Sequence, residues 1–549
     1  MSLWPHQEQA VAASLAAFDA GIRRQLIVMA TGTGKTRTFG EIIDRLHNRL
    51  PGQTMVLAHT KELVQQNYQS LLETNPTSKI GIEMAGQHAA PDCDVISASV
   101  QTVGREGSER LSAFPNVTKF VIDEAHHTPS AAYNRVLEHA DVLKPSTSRF
   151  VLGVTATSSR PDGAALSDYF DRVVYTYGIR SAISDGRLVP VRGYRVTTDT
   201  ALDSVGQRNG DFVVSELSKV VDTPKRNGEI VRRWKELGRS RPTLAFTADI
   251  SHAQNLAVAF REAGIEAQAI WGDDPLREHK LKEFRDGKIK VLCNCALLTE
   301  GFDAPMVSCI VLGRPTASGL LYTQMVGRGT RLAEGKADLI VLDIVDNTNK
   351  HSLATLPTLM GLSRNLDLEG KDLVEVVETI EVAERDHPNI PFDKLTKVSE
   401  LATFIEKVDL FNVRFPEEVE ANSALTWFKA ADGGFKITIP KKGEPGGFVR
   451  IREDSLAQWH VTGEIDGAFA GVRSTMEKAF KLADEVIRQR VNPMALQCIL
   501  REAAWHGKPV TNGQKKMLER LFPWKQFDYS LMNSGQASKL ISERIGRKK

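Results

Sequence analysis

The chain has 549 residues, of which 42% are hydrophobic and 25% are charged, and its formal net charge is +2. The composition is typical of a soluble globular protein, and the length predicts about three or four domains. The near-neutral charge excludes a global excess of basic residues, so any affinity for nucleic acid must come from local patches.

The cysteines, the N-terminus and the hydropathy exclude several further classes of protein. Five cysteines are scattered without C-x-x-C spacing, which argues against a disulfide framework or a zinc cluster. The N-terminus lacks a signal sequence, and no run of 18 apolar residues is present. We therefore expect a cytoplasmic protein with no membrane partner.

The first motif is a glycine-containing loop between a predicted strand and a predicted helix. The apolar stretch from Leu26 to Ala30 would deliver the chain to a loop whose backbone N–H groups surround phosphates, at the positive N-terminus of the next helix. Lys35 would then reach the β- and γ-phosphates, and Thr36 would ligate Mg²⁺. Met29 stands where the P-loop spacing has its first glycine. The predicted cradle comprises Thr31, Gly32, Thr33, Gly34, Lys35 and Thr36.

A helix is predicted upstream of this loop, over residues 4–20, with Gln7 near its start. So close to a P-loop, Gln7 could read the edge of an adenine. A solvated glutamine at a helix start is the alternative, and the spacing leaves both open.

Downstream, strands and helices alternate in a pattern that predicts a parallel sheet covered by helices on both faces. The strand Phe120-Val121-Ile122 runs into Asp123 and Glu124, and α/β folds place their sites at such strand ends. Two adjacent carboxylates there require a cation. Asp123 would hold Mg²⁺ through water, and Glu124 would orient and deprotonate the attacking water. His127, next to this motif, is predicted to be a solvated loop residue.

These motifs together resemble those of a superfamily 2 helicase or translocase of the DEAH-box kind. In that family the motif at Phe150–Thr157 couples hydrolysis to movement. The resemblance implies coupling roles for His126, Thr155 and Thr157, and contacts with nucleic-acid backbone phosphates from His59, Thr60, Gln101 and Thr102. Backbone contacts supply affinity rather than sequence preference.

The second strand–helix series, which begins at Thr243, ends in two further motifs of this family. The first resembles its fifth motif, in which Thr299 has a coupling role and Gly301 and Asp303 meet the nucleotide. The second contains Gln324, Arg328 and Arg331. The two arginines are three residues apart, which predicts that they share one helical face and point across a cleft. The resemblance implies that they stabilise charge on the transferred phosphoryl group.

The predicted fold class is α/β, with two tandem RecA-like parallel-sheet domains, an α+β accessory region and a small helical C-terminal segment. The predicted boundaries are 1–190 for the first RecA-like domain, 191–240 for a connecting region and 241–365 for the second RecA-like domain. The accessory domain follows at 366–495, and a basic C-terminal module at 496–549. Alternating apolar residues between Trp427 and Ile451 predict an antiparallel sheet in the accessory domain, with a helix near Thr475–Arg490.

The last 49 residues form a basic segment that also contains aromatic residues. It carries eleven Lys/Arg against four Asp/Glu, interleaved with Trp505, Phe522, Trp524, Phe527 and Tyr529. Such a segment could bind phosphates and stack on exposed bases. A small helical module with core aromatics and a solvated basic face is an equal alternative.

The sequence thus predicts a nucleic-acid-dependent ATPase that uses ATP and Mg²⁺. We expect DNA rather than RNA as the partner, with forked or branched forms, by resemblance to the UvsW-like branched-DNA helicases of phages and bacteria. The alternatives are a duplex translocase like the motor subunits of type I restriction enzymes, an RNA helicase, and a nucleotide-gated binding module without turnover.

Overall fold

The computed structural model describes residues 3–144, 147–156, 166–208, 210–239, 241–295, 304–347, 353–386, 392, 395–401, 417–425, 427–430, 434–439, 447–454, 456–500, 510, 512–522, 527 and 537. The chain divides into two compact units. Unit 1 comprises Met1–Leu359 and Leu368–Val374, and unit 2 comprises Met360–Asp367 and Glu375–Lys549. None of the helices within these ranges is both long enough and apolar enough to cross a membrane.

The first domain of unit 1 is built on a parallel sheet of seven described strands. They are β1 (Arg24–Met29), β2 (Gln53–Ala58), β3 (Ile80–Glu83), β4 (Val95–Ser99), β5 (Val117–Asp123), β6 (Phe150–Thr155) and β7 (Arg172–Tyr177). Their order in the sheet is β3-β4-β2-β5-β6-β1-β7. The helices of this domain are α1 (Pro5–Asp19), α2 (Lys35–Leu46), α3 (Lys61–Thr74), α4 (Val100–Val103), α5 (Ala131–His139) and α6 (Ile179–Ser184).

This strand order explains where the motifs meet. β5 and β6 are neighbours, and β1 lies on the other side of β6. All these pairs are parallel, so the carboxyl ends of β1, β5 and β6 lie at one edge of the sheet. The P-loop, the acidic pair and Thr155 follow or end these three strands, and the fold brings them together at that edge.

The second domain of unit 1 is also built on a parallel sheet, in the order β12-β13-β11-β14-β15-β8. Its strands are β8 (Val191–Ala201), β11 (Thr243–Thr247), β12 (Ala267–Ile270), β13 (Val291–Cys295), β14 (Cys309–Leu312) and β15 (Leu339–Asn347). The short strands β9 (Gln207–Arg208) and β10 (Asp211–Phe212) form a separate hairpin. The helices are α7 (Val214–Val221), α8 (Pro224–Leu237), α9 (Ile250–Glu262), α10 (Arg277–Arg285) and α11 (Gly319–Gly327).

The prediction of a connecting region over 191–240 is wrong. β8 is an edge strand of the second sheet and pairs in parallel with β15. The apolar side of α8, with Ile230 and Trp234, belongs to the buried core of the same domain. Because β8 lies at an edge and alternates buried with exposed residues, its sequence lacks the continuous apolar run of a central strand.

Unit 2 contains an antiparallel sheet in the order β16-β17-β18-β19-β20. The strands are β16 (Phe428–Lys429), β17 (Phe435–Ile439), β18 (Gly447–Glu453), β19 (Trp459–Glu464) and β20 (Ala468–Arg473). The helices of this part of the chain are α12 (Leu373–Asp386), α13 (Glu417–Asn422), α14 (Met476–Arg490), α15 (Pro493–Cys498) and α16 (Asn512–Leu521). The predicted fold class is confirmed: two parallel-sheet domains precede an accessory region with an antiparallel sheet and a helical segment.

The core of unit 2 lies between one face of its sheet and α14. Ile437, Val449 and Val461 project from that face into a cluster that includes Phe480 and Ile487 of α14. The helix begins where predicted, because the hydroxyl of Thr475 accepts a hydrogen bond from the backbone N–H of Lys478 at 3.3 Å.

Candidate active site

The predicted phosphate cradle is a left-handed loop between β1 and α2. Gly32 has φ +86° and Gly34 has φ +84°. Residues with a Cβ rarely adopt this conformation, so both glycines are required by the backbone. Met29 is the last residue of β1 and is fully buried, so it lies in the strand before the loop. The loop therefore forms with methionine at the position of the usual first glycine.

Side chains at the start of α1 hydrogen-bond to this loop. The carbonyl of Thr33 lies 2.9 Å from His6 Nε2 and accepts a hydrogen bond from Gln7 Nε2 at 3.2 Å. Gln7 Oε1 accepts from the backbone N–H of Trp4 at 2.9 Å. Both ends of the Gln7 amide are thus engaged within the protein. The ring of His6 also stacks on Tyr177 with a centroid separation of 4.1 Å.

The acidic pair ends β5 as predicted, and its backbone is strained. Asp123 is the last residue of the strand, and Glu124 has φ +51°, a conformation that costs a residue with a Cβ free energy. Asn67 on α3 donates a hydrogen bond to Asp123 Oδ2 at 3.1 Å, and the N–H of Glu124 donates to Asp123 Oδ1 at 3.0 Å. Burial and the charge of Glu124 raise the pKa of Asp123, and Lys35 opposes this shift.

The lysine of the P-loop contacts the second acidic residue directly. Lys35 Nζ lies 2.7 Å from Glu124 Oε1, and the two side chains are 11% and 10% exposed. The ion pair shows that the ammonium group of Lys35 and the carboxylate of Glu124 lie at the same place in the site. A phosphate group that formed an ion pair with Lys35 would therefore free the carboxylate of Glu124 next to it.

The residues at this point also suit a divalent cation. Asp123 is a buried carboxylate whose charged form is disfavoured by its surroundings, and Thr36 offers a hydroxyl oxygen in the first turn of α2. Oxygen ligands of this kind suit Mg²⁺, which usually keeps several waters and binds one or two carboxylates together with substrate phosphates. No cluster of three or more His, Cys, Asp or Glu that could hold a metal occurs among the described residues.

A row of histidines leads away from Glu124. His126 Nδ1 lies 3.4 Å from Glu124 Oε2 and 3.3 Å from the hydroxyl of Thr155. The ring of His127 lies 4.2 Å from that of His126 and 3.9 Å from that of His59, centroid to centroid. The prediction of a solvated His127 is wrong, because this ring lies between the other two. The row connects the end of β2 to the acidic pair.

The other predicted nucleic-acid residues lie at the same edge of the first sheet. The hydroxyl of Thr60 caps α3 by accepting from the N–H of Leu63 at 3.2 Å. Gln101 and Thr102 lie in α4, directly after β4. The Thr102 hydroxyl accepts from the N–H of Ala85 at 3.1 Å. The predicted residues Thr157, Thr299, Gly301 and Asp303 lie outside the described residues.

The arginine motif of the second domain reaches the P-loop of the first. A Cβ placed on Gly32 would lie 3.1 Å from Arg331 Cγ, and one placed on Gly327 would lie 2.9 Å from Thr31 Cβ. The prediction that Arg328 and Arg331 share one helical face is wrong, because α11 ends at Gly327. Arg331 instead lies in the loop that follows, and Gln324 is the motif residue within α11. The cleft between the two domains is therefore lined by the P-loop and this loop.

A half-buried lysine fixes the backbone of this arginine loop, which we define as residues 328–331. Lys336 Nζ donates hydrogen bonds to the carbonyls of Gly329, Arg331 and Pro305 at 2.6, 2.8 and 2.9 Å. Burial, with the charges of Arg331 and Arg241, lowers the pKa of Lys336 to about 7. Lys336 thus holds the loop in the shape that places Arg331 over Gly32.

The sequence matches two known families over the two halves of unit 1. These are the family described as type III restriction enzyme, res subunit, over residues 1–160, and the helicase conserved C-terminal domain over residues 228–333. A Schizosaccharomyces pombe protein, whose name describes it as a mitochondrial ATP-dependent helicase, irc3, is 31% identical; the match covers 99% of this chain and 90% of the relative. The chain belongs to the same family of ATP-dependent helicases as this relative.

Two further relatives are similar to this helicase over most of its length. A Saccharomyces cerevisiae protein named as an ATP-dependent helicase, IRC3, is 31% identical, over 78% of this chain and 62% of the relative. An endonuclease subunit of the type I restriction enzyme EcoAI from Escherichia coli is 29% identical, over 62% of this chain and 45% of the relative. The helicase is therefore an enzyme of the kind that the motifs indicated.

Sequence reasoning missed several residues that complete the site of this helicase. Asn67, Tyr177, His127 and Lys336 contact the motifs from positions that no spacing rule marks. Only the position of His127, directly after His126, could have pointed to it in the sequence. The other three residues reach the motifs only because the fold brings distant segments together.

We expect Lys336→Met to lower the maximal ATPase rate with little change in KM, because the arginine loop loses the two hydrogen bonds that Lys336 donates to it while the P-loop is untouched. Steady-state kinetics on the folded variant measure both constants. Lys288→Met, at an exposed position of the same domain, is the matched control. An unchanged maximal rate in a folded Lys336→Met protein would contradict the positioning role.

We expect His127→Ala to weaken the stimulation of ATPase activity by nucleic acid while basal activity is retained, because the row from His59 to Glu124 is interrupted. The ratio of stimulated to basal phosphate release tests this directly. His139→Ala, at the exposed end of α5, serves as the control. A proportional loss of both rates would instead indicate a general defect of the fold.

Proposed function

We propose that this helicase couples ATP hydrolysis to movement on DNA and acts on forked or branched forms. The observation that supports this most strongly is the approach of Arg331 to Gly32, directly beside the Lys35–Glu124 pair. A phosphate cradle, a general base and an arginine from a second domain are the parts that phosphoryl transfer requires. Their division between two domains links hydrolysis to closure of the cleft.

In this proposal the residues of the first domain bind the phosphates of ATP and activate the attacking water. Lys35 leaves Glu124 for the β- and γ-phosphates, and the freed carboxylate orients the attacking water and takes its proton. Thr36 and Asp123 would hold Mg²⁺. When bound, Mg²⁺ neutralises charge on the phosphate oxygens. The backbone of Thr31 to Gly34 surrounds the phosphates, and Gln7 supports this loop or reads the adenine.

The residues of the second domain act on the transition state. Arg331 and Arg328 stabilise the charge of the transferred phosphoryl group, and Gln324 lies on the helix that precedes them. Gly301, Asp303 and Thr299 meet the nucleotide or couple its state to movement, as the family resemblance implies. Cleft opening after hydrolysis then withdraws the arginines.

The nucleic-acid side of the proposal rests on the edge residues of the first sheet. His59, Thr60, Gln101 and Thr102 contact the backbone of the strand, and His126 with Thr155 relays its presence to Glu124. The relative named as a type I restriction endonuclease subunit favours DNA over RNA. The same relative also supports the alternative, a duplex translocase that does not separate strands. A cytoplasmic location stays a prediction, since one relative is named as mitochondrial.

Phosphate release measured with single-stranded, duplex and forked DNA and with RNA tests the proposal. We expect the largest stimulation with forked DNA. Stimulation by duplex alone, with triplex displacement but no strand displacement, would favour the translocase. Equal rates with and without every nucleic acid would overturn the proposal.

We expect Glu124→Gln to bind ATP about as well as the wild type but to hydrolyse it at least about 100-fold more slowly, because an amide cannot accept the proton of the attacking water. Equilibrium nucleotide binding and single-turnover hydrolysis measure the two effects. Lys35→Ala, in comparison, removes the cation that meets the phosphates and should also weaken binding. Turnover near the wild-type rate in Glu124→Gln would place the general base elsewhere.

A further inference from the structure

The antiparallel sheet of unit 2 has one face packed on α14 and one face directed away from it. Strand register defines the outer face, since residues opposite one another in adjacent strands share a side. One row across it joins Lys436, Arg450 and Thr462, and a second joins Arg452 to His460. We call the face defined by these five residues the outer sheet face.

The outer sheet face is basic. Lys436 and Arg450 stand directly opposite each other on β17 and β18. Arg452 follows on the same side of β18 and is exposed. Among the described residues, the acidic ones on this side are Glu464, directly opposite Phe448, and Asp454, whose Oδ2 lies 2.7 Å from His460 Nε2. A bound polyanion would interact favourably with Arg450 and Arg452.

Arg450 is half-buried on this face, and its Nε is buried without a hydrogen-bond partner within the described part of the chain. A planar guanidinium suits a phosphate group, which it can bind through its terminal nitrogens.

The face also exposes apolar side chains next to these cations. Phe448 on β18 is 38% exposed, and Val472, opposite His460 on β20, is 47% exposed. Phe448, Arg450 and Arg452 alternate along β18, so their side chains emerge about 7 Å apart on one side. An aromatic ring in line with two cations suits a chain of phosphates that carries exposed bases.

We infer that the outer sheet face binds a single-stranded segment of DNA along β18, with a base stacked on Phe448 and phosphates on Arg450 and Arg452. A single strand fits better than a duplex because duplex bases stack on each other and leave no face for Phe448. This inference rests on the proposed action on DNA, since forks and branches supply such single-stranded segments. It assigns the contact to the sheet, independently of the basic segment 501–549.

The test uses the full-length protein and a labelled single-stranded oligothymidine, with affinity measured at several salt concentrations. The double substitution Arg450→Gln with Arg452→Gln should reduce the slope of log K against log salt by about 1.4, since each phosphate contact on a single strand contributes about 0.7. Phe448→Ala should lower affinity about 5- to 150-fold at one salt concentration while the slope is retained.

Arg488→Gln is the matched control, because Arg488 is exposed on α14, which covers the opposite face of the sheet. Its affinity and slope should equal those of the wild type. Circular dichroism and thermal unfolding establish that each variant is folded.

The possible results separate this inference from the proposed function. If DNA stimulates the wild-type ATPase but the folded sheet variants bind like the wild type, the inference is overturned and the function stands. If the arginine variants lower the slope and Phe448→Ala has no effect, the face contacts backbone without stacking, and the single-strand assignment is overturned. If no nucleic acid stimulates the wild type, the proposed function fails first.

Discussion

The contact between the P-loop and the arginine loop is the constraint on which the proposed mechanism of this helicase depends. Gly32 has no side chain, and the space that a Cβ would occupy is bordered by Arg331 Cγ at 3.1 Å. Glycine at this position therefore serves two purposes: it permits the left-handed backbone of the cradle, and it lets a residue of the second domain approach that cradle. The ion pair of Lys35 with Glu124 lies at the same place, so the groups proposed to bind phosphate, to activate water and to supply the arginine lie within one small volume.

Two sets of interactions surround this contact, one in each domain. On the side of the second domain, Lys336 links two carbonyls of the arginine loop to that of Pro305, and Tyr322 anchors α11 by donating a hydrogen bond to Asp343 at 2.9 Å. On the side of the first domain, three histidine rings extend from the end of β2 to the acidic pair. One arrangement fixes the arginine, and the other is the route by which, in the proposed function, a strand bound near His59 would act on Glu124.

The sequence allowed prediction of the groups whose chemistry depends on local spacing. The P-loop, Asp123 with Glu124, and the two parallel sheets follow from short patterns of glycine, charge and apolar runs. The edge strand β8 was mistaken for a connection because half of its residues face solvent. Lys336 and Asn67 were missed because their roles depend on contacts with distant segments. The same limit applied to unit 2, where alternation predicted the sheet, but only the register of its strands placed Lys436 opposite Arg450.

The central claim is that the second domain completes the active site of the first by supplying Arg331. The most direct measurement compares Arg331→Ala with the wild type in single-turnover hydrolysis and in equilibrium ATP binding, with Arg232→Ala on the exposed side of α8 as the control. The account predicts a fall in the hydrolysis rate of about 1,000-fold or more, with a small change in affinity, because the contact acts in the transition state. A loss of affinity alone, with the hydrolysis rate of bound ATP unchanged, would contradict it.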